Sequence, residues 1–594
     1  MSVETGIWLI LFPIIGALIV PLIDRFNKKI TAWYSLVIAL ITFLLSLVLI
    51  WNIQAITPQG YPWIYSLGVF LTFRLDALGV YVAAVAAGIG FLVILYSTRY
   101  MALHAEEKGY GLAKYYALTL LFIGSMIGLA LSDTIILVYI FWELVGFCSY
   151  ALIAYYFRDP KAVRGGTKAF IITRIGDTGF FIAILALWIG TKTTSLAGML
   201  ASPPPDGMLL AIAGAGVLLA AIGKSAQFPL HVWLPDAMEA PTPISALIHA
   251  ATMVNAGVYL VARTYPLFSG ISWWPTAVVL VGALTALITA FLALTESDLK
   301  RVLAYSTSSQ LGFMLSAAGA GAILACEFHL VSHAIFKALL FLCAGAVIQS
   351  VGTRNMYEMG GLSKKMRITN LAFLLGMLAL AGIPVLNGFW SKDLVIESVF
   401  TAGFAWAGVI LVITALMTVL YSWRMYYLVF CGTARTERKA SDPLPGMAIP
   451  LIVLAIAAAV SWILIGPFSQ GLAASLTPSY QVHGMTLFEM IGEVLIQPVV
   501  LVSAASIVIL AYCAFVYRER MLLFLREDKG FVRMARRGFW IDQLYEAIAG
   551  KVRQAGKYAG FTQTGDVNNN LAGLALGGVA VLIALLAWGG GVLL

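Results

Sequence analysis

From Ile7 onward this chain is a succession of apolar windows about twenty residues long, joined by short connections. Backbone N–H and C=O groups find no water in hydrocarbon, so such a window crosses a bilayer only as a helix that satisfies its own peptide groups. The windows fall near 7–23, 32–52, 79–98, 113–132, 134–156, 167–190, 207–226, 243–264, 273–294, 302–319, 323–349, 370–392, 403–430, 448–467, 494–516 and 570–592, which makes about sixteen transmembrane helices. With 61% hydrophobic and 11% charged residues and a mean hydropathy of +0.93, no soluble fold could cover this much apolar surface. The expected fold is an all-α polytopic membrane protein. Its first window lacks a basic segment before it and a small-residue cleavage site after it, so it reads as a span rather than a removed signal.

The formal charge of +9 does not point to nucleic acid, because the basic residues sit in short loops between spans. Arg25 to Lys29, Arg99 to Lys114, Arg158 to Lys168, Lys300 with Arg301, Arg354 to Arg367, Arg435 to Lys439 and Arg518 to Lys557 occupy alternate loops, while the opposite loops are almost bare. Gln227 to Thr242 breaks the alternation by having no Lys or Arg. Lys and Arg accumulate on the cytoplasmic side, so both termini are expected on the outer, periplasmic-like side. The five cysteines show no C-x-x-C spacing, and neither a disulfide framework nor a zinc or iron–sulfur site is indicated. No redox centre or cofactor is expected on the chain itself.

Against that apolar background a few ionisable residues lie at membrane depth, where a charge is too costly to persist without use. Glu143 is the only acidic residue between Asp133 and Asp159 and falls mid-span; Lys224 ends the run Met208–Gly223. Desolvation and a nearby carboxylate act oppositely on a lysine, so a Lys–Glu pair can be switched by its separation. Glu143 is therefore the expected partner of Lys224, the alternative being a structural carboxylate bonded to a neighbouring helix. Arg174 and Asp177 either tune Glu143 or pair with each other. His329, His333 and Lys337 are four apart and share a helical face. Histidine can relay a proton through either nitrogen. The same pair could ligate zinc or haem or pack with satisfied hydrogen bonds, but Lys337 on that face would repel a metal cation. No metal site is expected. His249 lies between Lys224 and that face in sequence, and Lys392, beside Asp393, is the expected exit-side site.

Proline and glycine interrupt two spans. Pro229 and Pro235 follow Lys224, and Gly382, Pro384 and Gly388 precede Lys392. Broken helices are tolerated in a bilayer only where protein or water satisfies the freed peptide groups. Two breaks five spans apart imply two inverted five-helix repeats. Between the fifteenth and sixteenth spans, Ile541, Leu544, Tyr545, Ile548 and Val552 share one face of a helix that would lie along the membrane surface.

These residues carry a resemblance. Residues 224–254, KSAQFPLHVWLPDAMEAPTPISALIHAATMV, are similar to the signature of the antiporter-like subunits of respiratory complex I and of Mrp cation/proton antiporters. FWELVG at 141–146, DLKRVLAYST at 298–307, HLVSHAIFKALLF at 329–341, GIP at 382–384 and SKD at 391–393 extend it over most of the chain. The span count and surface helix resemble the largest and most distal of those subunits, the subunit-5 type, as do a histidine in the eighth span and a lysine in the twelfth. The stretch Trp540 to Asn568 is shorter than the lateral helix usual there.

The resemblance implies a proton-translocating subunit, with Glu143, Lys224, His249, His329, His333, Lys337 and Lys392 as its proton-handling residues. Flavin, iron–sulfur clusters and quinone would sit in partner subunits of a membrane arm. The setting would be a bacterial or archaeal cytoplasmic membrane or an energy-converting organelle membrane. A cation/proton antiporter subunit and a passive membrane-arm scaffold are the alternatives. The corresponding organisation is N-terminal spans over 1–112, a first repeat over 113–264, a second over 273–430, further spans over 448–517, an amphipathic lateral segment over 518–569 and a last span over 570–594. Cysteines placed at Ser363 and Lys439 should react with a membrane-impermeant thiol reagent from the cytoplasmic or matrix side, and one at Thr477 from the other. Labelling of all three from one face would overturn the span count.

Overall fold

The computed structural model describes residues 3–51, 53, 59–64, 69–205, 207–435, 440–476, 480–517, 530–536 and 538–560, together with 571, 576, 577, 579 and 580. Two compact units are present, Met1–Val532 and Arg533–Leu594. The expected last span, 570–592, lies almost wholly outside the described residues.

The first unit opens with α1 (Val3–Phe26) and α2 (Lys28–Trp51). A short antiparallel ribbon follows, β1 (Gln59–Ile64) on β2 (Val69–Phe73), with Tyr61 opposite Leu71 and an irregularity between Pro62 and Ile64. The strictly all-α expectation missed this ribbon. Its strands are too short to give a periodic signal, and β2 is held from a distance: Asp133 N–H donates to Thr72 O at 2.8 Å and Thr72 N–H to Thr134 Oγ1 at 3.0 Å.

The helices continue as α3 (Ala77–Lys108), α4 (Leu112–Leu131), α5 (Ile135–Ile153), α6 (Pro160–Thr191), the short α7 (Leu196–Ala201) and α8 (Met208–Lys224). Then come α9 (Thr242–Ala250), α10 (Met253–Phe268), α11 (Trp274–Thr295), α12 (Leu299–Gly319), α13 (Ile323–Val351), α14 (Arg367–Ala381), α15 (Asn387–Thr401) and α16 (Ala405–Phe430). The unit ends through α17 (Pro445–Val460), α18 (Ile465–Leu476), α19 (Leu487–Ile496) and α20 (Pro498–Val516), followed by α21 (Gly530–Arg536) at its boundary. The second unit contains α22 (Ile541–Gly560), which covers the amphipathic segment. Among the described residues, eleven helical segments are long and apolar enough to cross a membrane, with three shorter apolar helices besides. The protein is a multi-pass membrane protein.

The helix starts obey local chemistry. Asp159 caps α6, accepting from Lys161 N–H, with Pro160 at the first position where its missing donor costs nothing. Asp298 caps α12 through Lys300 and Arg301 N–H. The breaks fall largely where glycine and proline lie. After α8 the chain runs through two 3-10 turns, Leu230–Trp233 and Asp236–Glu239, before α9 begins. Between α14 and α15, Gly382 adopts φ +78°, which a β-carbon would oppose. A third break, between α9 and α10, has no glycine or proline to announce it. There Asn255 Nδ2 donates to Ala250 O at 2.7 Å, satisfying a carbonyl that the break frees, and Thr252 Oγ1 donates at 2.8 Å to Leu247 O, which also accepts from Ala251 N–H.

Small residues let the helices approach closely, the usual means of association where lipid removes the hydrophobic drive. A Cβ on Gly312 of α12 would lie 2.5 Å from Gly282 O of α11, and one on Gly282 would lie 2.6 Å from Gly312 O. Gly312→Ala should therefore destabilise the subunit by about 1–3 kcal/mol, read as a fall in the thermal unfolding midpoint in detergent. Gly270→Ala, whose Cβ would meet nothing within 4 Å, should change stability by no more than about 0.5 kcal/mol.

Candidate functional site

Every expected proton-handling residue lies in the first unit, in two groups. The first is built by α5, α6 and α8. Lys224 is fully buried at the C-terminal end of α8, where the helix carbonyls favour a cation. Its ammonium lies 3.2 Å from Asp177 Oδ1 and 3.3 Å from Oδ2, and 5.3 Å from the centre of the Trp142 ring. Trp142 Nε1 donates to Asp177 Oδ1 at 2.6 Å. A Cβ on Gly146 would lie 2.7 Å from Lys224 Nζ, so the glycine opens the space for the lysine head.

The carboxylate that touches Lys224 is thus Asp177, not Glu143. Glu143 instead pairs with Arg174, Nη1 to Oε2 at 2.7 Å, and Arg174 Nε stands 4.0 Å from Asp177 Oδ2. The guanidinium therefore links the two carboxylates. A one-dimensional reading could rank Glu143 by its isolation in an apolar run, but could not see that α6 turns Asp177 toward α8. The signals for Trp142 and Gly146 were in the quoted FWELVG motif, unread as geometry.

The second group is centred on α13. His249, His329, His333 and Lys337 are wholly buried, and Lys392 and Asp393 almost so. His329 is bonded on both sides, Nδ1 with Ser391 Oγ at 3.0 Å and Nε2 with Gln310 Oε1 at 3.2 Å. Its ring centre is 6.5 Å from that of His333. Lys337 Nζ donates to Ser306 Oγ and, at 3.4 Å, to Leu303 O. Lys392 Nζ donates to Leu380 O at 2.6 Å and lies 5.7 Å from the Phe313 ring centre. Asp393 accepts from Ser503 Oγ at 3.3 Å. His249 stacks on Phe341, and His333 is within electrostatic reach of Lys337, His329, His249 and Lys392. Ser306, Gln310 and Ser391 were not singled out in sequence, because a neutral polar residue in a span is common and becomes informative only beside a charge.

Both nitrogens of His249 and of His333, with Gln227 Oε1 and Gln310 Nε2, are buried without a hydrogen-bond partner among the described residues. Such groups cost about 1–3 kcal/mol each if left dry. They mark places suited to bridging water, which a proton line needs. Among the described residues no hydrogen bond or ion pair joins the Lys224 group to the His249–Lys392 group.

A third buried cluster escaped the sequence reading. Asp76, just before α3, receives Arg263 of α10 bidentately, with Nη2 at 2.8 Å, and Arg74 Nε at 2.8 Å. Burial alone would raise the Asp76 carboxyl, but Arg263, Arg74 and the Gly79 N–H hold it below the usual carboxylate range.

Comparison with known proteins follows this geometry. The family model "NADH:quinone oxidoreductase/Mrp antiporter, TM" matches residues 132–418, which include all the site residues named above except those of the Asp76 cluster's N-terminal side and Ser503. The model "NADH-Ubiquinone oxidoreductase (complex I), chain 5 N-terminus" matches residues 63–116. The chloroplastic NAD(P)H-quinone oxidoreductase subunit 5 of Nephroselmis olivacea is 44% identical over 443 residues, 70% of this chain and 67% of that one. The chain belongs to this family.

Chain 5 of Synechocystis is 45% identical over 392 residues, 62% of this chain and 56% of its own length. Subunit 5 of Paulinella chromatophora is 37% identical over 567 residues, 86% of this chain and 84% of its own. Among solved structures, the Mrp complex from Dietzia sp. aligns with a TM-score of 0.81 and 30% identity, covering 99% of this chain and 63% of that one. Respiratory complex I from Thermus thermophilus shares the fold, with a TM-score of 0.71 at 21% identity over 79% of this chain. The antiporter-like membrane fold is common to them.

Direct contact between Asp177 and Lys224 predicts an energetic coupling. Asp177→Asn should lower the thermal midpoint of the detergent-solubilised protein, since an orphaned buried charge costs about 3–5 kcal/mol. Adding Lys224→Met should recover part of that loss. A double variant no more stable than Asp177→Asn alone would show that the two side chains do not act as a pair.

Proposed function

We propose that this chain is a proton-translocating, antiporter-like membrane subunit of a complex I-type oxidoreductase that passes electrons from NADH or a related donor to quinone. The observation that carries the reading is the series of buried ionisable groups, Lys337, His333, His329, Lys392 and Asp393, placed side by side where a bilayer would make each of them costly. In this reading Asp177, Lys224, Arg174 and Glu143 form the responsive ion-pair group, in which a shift of Arg174 toward either carboxylate changes the field at Lys224. His249, His333 and His329 relay the proton, Lys337 is the central site, and Lys392 with Asp393 is the exit-side pair.

His329 suits a relay because Ser391 Oγ and Gln310 Oε1 fix its ring with a hydrogen bond at each nitrogen, and either nitrogen of the imidazole can carry the proton. The chain would carry no redox centre. Flavin, iron–sulfur clusters and quinone would belong to partner subunits, whose electron transfer drives this one through the protein. Both termini would face the outer side, about sixteen helices would cross the membrane, and the spans over 113–264 and 273–430 would be the two inverted repeats. Lysines at broken-helix ends in both halves, Lys224 at α8 and Lys392 against the last turn of α14, support that repeat reading. The α22 helix would lie along the membrane surface.

A second reading rests on the Dietzia Mrp complex, which aligns with nearly the whole chain. There the same groups would exchange sodium for protons without redox input. The intact assembly, purified in mild detergent and reconstituted into vesicles, distinguishes the two. We expect quinone reduction to acidify the lumen, independent of a sodium gradient. Lys337→Met should cut the protons moved per quinone reduced while leaving the assembly intact. Sodium-driven pH change with no co-purifying redox subunit would establish the antiporter reading, and undiminished transport in Lys337→Met would leave the chain as a scaffold.

A further inference from the structure

Glu327 lies in the second turn of α13, fully buried, and neither carboxylate oxygen has a hydrogen-bond partner among the described residues. It stands within electrostatic reach of Arg263 and Asp76 and of the Tyr259 and Tyr480 hydroxyls. Around Arg263 the polar groups are otherwise bonded, except Arg74 Nη1, which has no partner among the described residues. Arg263 donates to Asp76 and to Tyr259 OH, at 3.0 Å from Nε and 2.7 Å from Nη2. Tyr259 in turn donates to Ala130 O at 2.5 Å, and Tyr480 to Arg263 O at 2.6 Å.

The charge count of this cluster is what makes Glu327 informative. Arg74 and Arg263 stay protonated at any working pH, and both lean on the single carboxylate of Asp76. Without Glu327 the cluster carries one positive charge; with Glu327 ionised it is neutral. A purely structural counter-ion would be expected to bond the guanidinium directly, as Asp76 does.

Position assigns the role. The start of α3, the end of α10 and the start of α13 all adjoin loops that the proposed orientation places on the outer side. His329 follows Glu327 by two residues, about 3 Å of helix rise but on the opposite side of α13, so transfer between them requires water. We propose that Glu327 is a proton-release site in series with the exit-side pair: a proton from Lys392 and Asp393 passes His329, which Ser391 holds beside them, reaches Glu327 through water and is delivered past Asp76 and Arg263 to the outer side. A bond from a histidine nitrogen to hydrogen breaks as the carboxylic O–H forms, and that O–H then breaks as water on the outer face takes the proton. No electrons move. The inference rests on the proton-pumping reading above, and names a residue outside its relay.

The test uses the whole assembly in vesicles, with protons per quinone reduced as the readout. Glu327→Gln, close to isosteric but unable to release a proton, should lower that ratio as far as Lys337→Met does, and Glu327→Asp should restore most of it. Difference infrared spectra during turnover should contain a carboxylic C=O band that Glu327→Gln removes and Glu327→Asp shifts, a signature that a merely structural counter-ion would not give. If Lys337→Met lowers the ratio and Glu327→Gln does not, the release assignment is wrong and the pumping reading stands. If neither lowers it, the pumping reading itself fails. Should Glu327→Gln not assemble, the band shift in Glu327→Asp decides, and an unshifted band overturns the proposal.

Discussion

A lysine ammonium buried in a membrane bundle is tolerable only where fixed oxygens face it, and the architecture of this chain is largely a means of supplying them. Lys224 finds Asp177 and the carbonyl end of α8; Lys392 finds Leu380 O in the last turn of α14; Lys337 finds Ser306 Oγ and Leu303 O. For Lys392 that oxygen is a carbonyl of a helix that stops inside the apolar region, and Lys224 itself stands at the end of another. The breaks are therefore not defects that the bundle puts up with. They expose the peptide groups that make interior charge affordable.

Close helix crossings accompany these breaks. A break frees several peptide groups, and each must be met by a neighbour near enough to bond it. Gly282 against Gly312, and Gly179 against Gly216, bring helix backbones so close that a β-carbon could not fit between them without displacement. Where a side chain completes the bonding, as Asn255 does beside the α9–α10 break, no glycine or proline is needed. His249 sits one residue before the end of α9, so on the proposed reading this third break bears on the relay as the other two do.

Much of this was legible in sequence because membrane physics writes in long apolar runs and punctuates them with proline, glycine and rare charges. The helices over the first fifteen windows, the breaks after Lys224 and before Lys392, and the shared face of His329, His333 and Lys337 all follow from those marks. What was not legible depends on rotation of one helix against another. Asp177 is three residues from Arg174 and both lie on α6, yet only packing decides that Asp177 meets Lys224 while Arg174 reaches back to Glu143. The β1–β2 ribbon and the α9–α10 break were missed for a related reason: each is stabilised by residues distant in sequence or by side chains with no distinctive local pattern.

The separation of the site into two groups has a physical consequence for coupling. With no hydrogen bond or ion pair joining Asp177–Lys224 to His249 and its neighbours among the described residues, influence must pass between them through the field or through water. Lys224 is a strong source of such a field only when Asp177 does not cancel it. Arg174, shared between Glu143 and Asp177, is placed to change that cancellation: drawn toward Asp177, it competes with Lys224 for the carboxylate and leaves the ammonium less compensated. In the proposed reading, a less compensated Lys224 disfavours a proton nearby and would push it onward toward groups farther along the bundle. Small movements of one partly exposed guanidinium can in this way be felt by residues it never touches.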